Sequence, residues 1–268
     1  MPRLFQHLFV RFKASDLGEP VPVNTEPTDT RISTEIRELG LERYVLELEV
    51  DGLTVVPPDV HGVSMEHIDQ MAQWVLARVE EMVGCAFDLE TGPAAEVEFP
   101  DDSNVLAELA GDSGGPSQFL IQQLARQHRM FRDLAVNPVA VALIRHMIGR
   151  RATRFSSHNS FVKWQGDFGY GKNLGMHCDQ TAVPLPWGRN ALTANSNWCL
   201  TDYTLEGGAL AYVPSSHRRL THPTFPQATK LAVCLETVFV IHSVAPLAFP
   251  NIEMPLAMNM SLNCFLKR

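Results

Sequence analysis

Two stretches of the chain carry a histidine two residues ahead of an aspartate: His67-Ile68-Asp69 and His177-Cys178-Asp179. A histidine and a carboxylate that reach one point can hold a divalent metal. A ferrous centre made of two histidines and one carboxylate leaves coordination positions open for a cosubstrate and dioxygen. With ten histidines in the chain, chance alone supplies about half of one such H-x-D, so the spacing decides nothing until its surroundings are read.

Around His67 the residues Met65, Ile68, Met71, Val75, Val79 and Met82 recur at three- and four-residue intervals, the mark of an amphipathic helix. On a helix, positions i and i+2 point about 200° apart, so His67 and Asp69 cannot grip one ion and His67 is expected to be a solvated helix residue. On a strand, i and i+2 share a face. The segment NLGMHCDQ around His177 is of the strand kind, so His177 and Asp179 are the candidate metal pair. The third ligand must come from another strand. His242, in VFVIHS near the end of a late apolar run, is the best-placed candidate, and a hydrogen-bonded core histidine is the other reading of it. His128 and His146 fall on helices and are not expected to be ligands.

The elements that must position these residues change character along the chain. The first half reads mostly helical: RYVLELEV leads into a strand LTVV stopped by Pro57-Pro58, then the helix over 64–83. Residues 87–116, acidic and rich in Gly, Pro, Ser and Asp, read as a long loop. SQFLIQQLARQHRMFRDLA and NPVAVALIRHMIG read as two further helices, the second opened by Asn137 and Pro138 and closed by Gly149. From about Arg151 short β-prone runs alternate with Gly, Pro and Asn clusters: TRFSSHNSFVKWQ, NLGMHCDQ, NSNWCLTDYT, GALAYVPSS, LAVCLETVFVIHS and MPLAMNMSLNCF. Such spacing predicts an antiparallel sandwich or barrel with the helices outside it.

A net charge of -8 argues against non-specific binding to nucleic acid or an anionic membrane surface, and no apolar run is long enough to span a bilayer. A small-molecule substrate is the expected partner. The five cysteines form no C-x-x-C, which predicts neither a disulfide framework nor a zinc ribbon, and a reducing, cytoplasmic setting is expected. The basic opening MPRLFQHLFVRFKAS is weakly similar to an organelle-targeting peptide. Residues 1–35 read as tail and linker, and 36–268 as one domain with helical support over 36–150 and a β core over 151–268. The sequence does not specify an oligomeric state.

The run NLGMHCDQ, then NWCLTDYTLEGGALAYVPSSHR, FVIHSVAPLAFPN and LAMNMSLN, resembles the phytanoyl-CoA dioxygenase family of iron(II)- and 2-oxoglutarate-dependent oxygenases. The resemblance reaches back to LERYVLELEVDGLTVV. It implies a mainly β fold with helices, a double-stranded β-helix or jelly-roll barrel, with Fe(II) bound in its mouth. It also implies 2-oxoglutarate as cosubstrate, ascorbate as reductant in vitro, and hydroxylation of a small organic substrate. His177 and Asp179 match the family's H-x-D, and Trp198 stands where an aromatic residue beside the cosubstrate pocket is common. His217 matches a usual histidine that is not a ligand, and His222 has no clear counterpart.

Two departures bear on that expectation. The family's distal histidine aligns at Pro246, four residues past His242. The arginine that would pair with the far carboxylate of 2-oxoglutarate aligns near Pro255, and no Arg or Lys occurs between Lys230 and Lys267. Lys163 and Arg154 are the candidate substitutes for that cation, with a surface strand charge as the other reading of each. After PSSHR only His222, Glu236, His242 and Glu253 offer a third ligand type, and their local settings leave His242. The alternative expectation is a non-catalytic family member that keeps the barrel and binds a ligand or partner without turnover.

Overall fold

Among the described residues of the computed structural model the first helix, α1 (Thr30–Glu38), places Ile32 and Ile36 one turn apart in the core. Each buried aliphatic side chain of this kind contributes about 1.5–3 kcal/mol. Among the described residues helix thus includes Thr30–Glu38, part of which lies in the stretch expected to be linker. The structure describes residues 30–88, 91–95, 118–149, 153, 155, 158–163, 187–191, 193–201, 211–220, 239–243, 247–248 and 257–261. The strands at 239–243, 247–248 and 257–261 are placed by backbone register.

Helix α2 (Glu42–Asp51) stops at Gly52, whose φ of 83° is the left-handed conformation that glycine adopts without strain. Strand β1 (Leu53–Val56) follows, then the short α3 (Pro58–His61) and the long α4 (Met65–Val83). α4 opens on Ser64, whose hydroxyl accepts from His67 N, and buries Ile68, Met71, Ala72, Val75 and Val79 along one stripe. Its periodicity is the one that removed His67 and Asp69 as a metal pair. Strands β2 (Phe87–Asp88) and β3 (Gly92–Pro93) form a small hairpin inside the stretch expected to be loop.

The segment expected as one helix over 117–135 divides into β4 (Gln118–Ile121), α5 (Leu124–Gln127) and α6 (Arg129–Ala135). Phe119-Leu120-Ile121 satisfies its backbone by pairing with β5 (Asn159–Lys163). Gln123, at φ 56°, breaks the chain direction before α5. Helix α7 (Pro138–Ile148) has the ends the sequence predicts: the Asn137 side chain accepts from Val139 N and Ala140 N, and Gly149 closes it at φ 73°. Arg145 on α7 pairs with Glu35 on α1 at 2.7 Å, tying the first helix to the last of the layer.

The remaining strands are β6 (Ala194–Cys199), β7 (Ala211–Tyr212), β8 (Phe239–Ser243), β9 (Leu247–Ala248) and β10 (Ala257–Ser261). Six strands pair antiparallel in the order β1-β8-β6-β10-β5-β4, and β7 pairs with β9 in a separate two-stranded piece. Among the described residues helix exceeds strand, and the strands pair antiparallel beside the helical layer. The antiparallel pairing itself is as expected.

Candidate functional site

Residues directly opposite one another in antiparallel strands share a face, and the face alternates at each step along a strand. This sorts the six-stranded sheet into two sides. One side carries Val56, Ile121, Val162 and Trp198, all members of the core cluster formed with the helices. The other side carries Leu53, Asn195, Asn197 and Cys199, all buried as well but outside that apolar core, apart from its members. Strand β6 is thus buried on both of its faces.

The side away from the helices is the more polar one, with polar positions set among Leu53, Val55, Leu120, Phe161 and Val240. In β6 it presents Asn195, Asn197 and Cys199. Register adds the positions of Asn259 and Ser261 on β10, Asn159 and Lys163 on β5, and His242 on β8. Asn197 is fully buried, and neither its amide nitrogen nor its amide oxygen has a hydrogen-bond partner among the described residues. His242 stands opposite Asn195 in β6 and Leu53 in β1. Lys163 stands opposite Ala257 and Gln118. The register thus puts the positions of His242 and Lys163 on the same side of one sheet.

Trp198 lies on the helix-facing side, 1% exposed, with its ring edge-on to His61 at 5.0 Å between centroids. It belongs to the core of the helix–sheet interface. Strand alternation is the reason: the neighbours Asn197 and Cys199 take the face that Trp198 leaves. His177, Asp179, Arg154, His222 and Pro246 lie outside the described residues. Among the described residues no three His, Cys, Asp or Glu side chains gather to hold a metal ion, and no helix is long and apolar enough to cross a membrane.

The described histidines have other employment. His128 accepts from Met130 N as the cap of α6, and His146 meets Glu49 at 3.1 Å. The VPSSHR motif closes the C-terminal end of α2. Ser215 donates its backbone N–H to Asp51 O and its hydroxyl to Val50 O, the His217 Nε2–H donates to Glu49 O, and the Arg218 guanidinium donates to the same carbonyl. Three carbonyls that a helix end leaves without partners are satisfied, and the arginine charge suits that negative pole. Burial lowers the pKa of His217, while its bond to the Glu49 carbonyl opposes the shift.

His61 and His158 were not marked by any sequence pattern. Burial lowers the pKa of each to about 4, so both are neutral near pH 7. His61 accepts from Val63 N at its Nδ1, and its backbone carbonyl accepts from the Asn137 side chain at 2.8 Å. His158 sits between the rings of Phe131 and Phe155, each 5.8 Å away. The signal for the polar side was present in the sequence as Asn195-x-Asn197, a period-two pair inside a buried strand.

The model of the phytanoyl-CoA dioxygenase (PhyH) family matches residues 48–233. The chain belongs to the phytanoyl-CoA dioxygenase family. That match runs from α2 to the stretch before β8, so His242 lies beyond it. Among curated relatives of the family fold, the dioxygenase af480 of Aspergillus fumigatus is 30% identical over 112 residues, 41% of this chain and 34% of the relative. The chain thus matches about a third of that protein's length. Among solved structures, the α-ketoglutarate-dependent epimerase SnoN from nogalamycin biosynthesis superposes with a TM-score of 0.57 at 18% identity, covering 84% of this chain and 82% of the other. HygX from Streptomyces hygroscopicus, with nickel and 2-oxoglutarate bound, gives 0.52 at 12% identity, covering 82% and 85%. The PhyH-family chain shares the fold of these proteins.

Proposed function

We propose that the chain is a non-haem Fe(II)- and 2-oxoglutarate-dependent dioxygenase that hydroxylates a small organic substrate. Its strands would close into a jelly-roll barrel around the polar side of the six-stranded sheet. The observation that carries this reading is that side itself: a sheet with β6 buried on both faces, apolar toward the helices and lined away from them by Asn195, Asn197 and Cys199. Buried polar groups are stable only with partners, and Asn197, whose amide has none among the described residues, would find one in a small polar cosubstrate, which fits the group the family implies. Family membership, together with the folds of SnoN and HygX, supports the same reading. SnoN is known in complex with Fe3+, α-ketoglutarate and nogalamycin RO, and HygX with nickel, 2-oxoglutarate and hygromycin B, which supports a small-molecule substrate here.

In this reading His177 and Asp179 hold the ion as the H-x-D pair, and His242 completes the set from β8. Iron(II) with 2-oxoglutarate and dioxygen supplies oxidative decarboxylation to succinate and carbon dioxide, coupled to insertion of one oxygen atom into a substrate C–H bond. The protein's part is to bind, to orient and to exclude water. Burial of both faces of β6 serves the last of these.

A second reading is a non-catalytic family member that binds a ligand or partner. It is favoured by the absence of any Arg or Lys between Lys230 and Lys267 and by Pro246 at the distal-histidine position. Succinate release from 2-oxoglutarate under iron and ascorbate separates the two. Turnover supports the enzyme. No turnover with no 2-oxoglutarate affinity decides for the second reading. Iron titration of His177→Ala, His242→Ala and His222→Ala tests the ligand set, and wild-type iron binding by His242→Ala removes His242 from it.

A further inference from the structure

The last strand, β10, carries AMNMS and no cation, and the whole stretch from residue 231 to 266 has none. A dianionic cosubstrate held on this sheet therefore needs donors other than the two-pronged guanidinium. Asn197 is placed to be one. It is 0% exposed, both atoms of its amide lack partners among the described residues, and it occupies the side of β6 opposite Trp198. Its row is polar toward β10, where Asn197 pairs with Ser261, which pairs with Asn159 on β5, and apolar toward β8, where it stands opposite Val240.

We propose that the Asn197 side-chain amide donates a hydrogen bond to the carboxylate of 2-oxoglutarate remote from its oxo group, with the Ser261 and Asn159 positions beside it, in place of an arginine. The inference rests on the functional reading above and names the residue by which that site takes its cosubstrate. A primary amide offers two N–H donors to an anion and accepts from a neighbouring hydroxyl. Burying such a group with neither atom paired is costly in the free protein, and a ligand that pairs it recovers that cost on binding. Among the described residues Ser196 and His158 are also enclosed without hydrogen-bond partners, but Ser196 shares the helix-facing side of β6 with Trp198 and His158 lies among aromatic rings, Phe131 and Phe155. Ring contacts account for the surroundings of His158, whereas Asn197 has hydroxyl and amide positions, Ser261 and Asn159, on its β10 side.

The test is calorimetric binding to the Mn(II)-loaded protein, with 2-oxoglutarate and with 2-oxopentanoate, which has the same chain without the far carboxylate. Asn197→Ala is expected to weaken 2-oxoglutarate about tenfold and Asn197→Asp, which sets a carboxylate against the carboxylate, about a hundredfold or more. Neither should move 2-oxopentanoate more than about threefold, and Mn(II) affinity should be unchanged. Asn197→Leu, which removes an unpaired buried amide, should leave the ligand-free protein at least as stable as wild type. Equal losses for both ligands, unchanged 2-oxoglutarate affinity, or variants that fail to fold overturn the inference. If the wild type binds 2-oxoglutarate and these outcomes occur, only this inference falls. If the wild type does not bind it, the functional reading falls too.

Discussion

The His217 ring is seated against Gly52, so that a β-carbon added to Gly52 would come 2.5 Å from Nδ1. Gly52 closes α2 at φ 83°, and His217 caps the same helix end through the Glu49 carbonyl. Gly52→Ala therefore meets both a steric and a backbone penalty and should cost about 2 kcal/mol or more. The double variant Gly52→Ala with His217→Ala should cost less than the sum of the two single changes, because the steric part disappears. Urea unfolding of the three variants measures this.

Asn137 performs two tasks from one side chain. Its oxygen accepts from Val139 N and Ala140 N at 3.1 Å each, and its nitrogen donates to His61 O at 2.8 Å. Asn137→Ala should destabilise by about 2 kcal/mol, the sum of a helix cap and a buried bond. Asn137→Ser keeps a capping oxygen and loses the bond to His61, so roughly half of that loss is expected. Denaturation midpoints at constant slope check the ratio.

The neutral, buried His158 makes stability fall in acid. Its folded pKa is about 4 against 6.5 for an exposed imidazole, lowered by burial. Between these values the unfolded chain binds the proton and the folded chain does not, so stability rises with pH. The contribution is intact above about pH 6.5, is lost as pH falls from 6.5 to 4, and levels off below. The slope is on the order of 1 kcal/mol per pH unit from this residue. His158→Phe, packed between two phenylalanines already present, should flatten that part of a stability–pH curve. His61, lowered to about 4 for the same reason, should keep the remainder.

Trp198 should matter to stability and not to cosubstrate affinity. Trp198→Phe leaves space beside His61 in the helix–sheet interface and is expected to cost about 1–3 kcal/mol. Its 2-oxoglutarate affinity, measured by calorimetry on the Mn(II)-loaded protein, should stay within about threefold of wild type. A tenfold loss at unchanged stability would place Trp198 in the pocket.

Much of the helical layer was legible because its signals are local. Ser64 before α4, Gly84 after it, and the Asn137-Pro138 start and Gly149 end of α7 all act within one turn of the chain. The QFLI segment was misread as helix because a four-residue apolar run fits either period. Only pairing with β5 made it a strand. The H-x-D pair His177 and Asp179 lies outside the described residues, and a third ligand is a matter of which strands adjoin, which local pattern does not carry.

By itself the sequence determined the family, the helix ends and the residue types available for chemistry, since these depend on order and on neighbours a few positions away. The tertiary structure decided which side of the sheet each residue serves. Trp198 and Asn197 are adjacent in the chain and both almost wholly buried, yet one packs on the helices and the other lies on the polar side. A strand reverses its face at every residue, and which face meets the helices is set by the packing of α2, α4 and α7 on the assembled sheet. No local pattern carries that choice, because it is made by contacts between segments far apart in the chain.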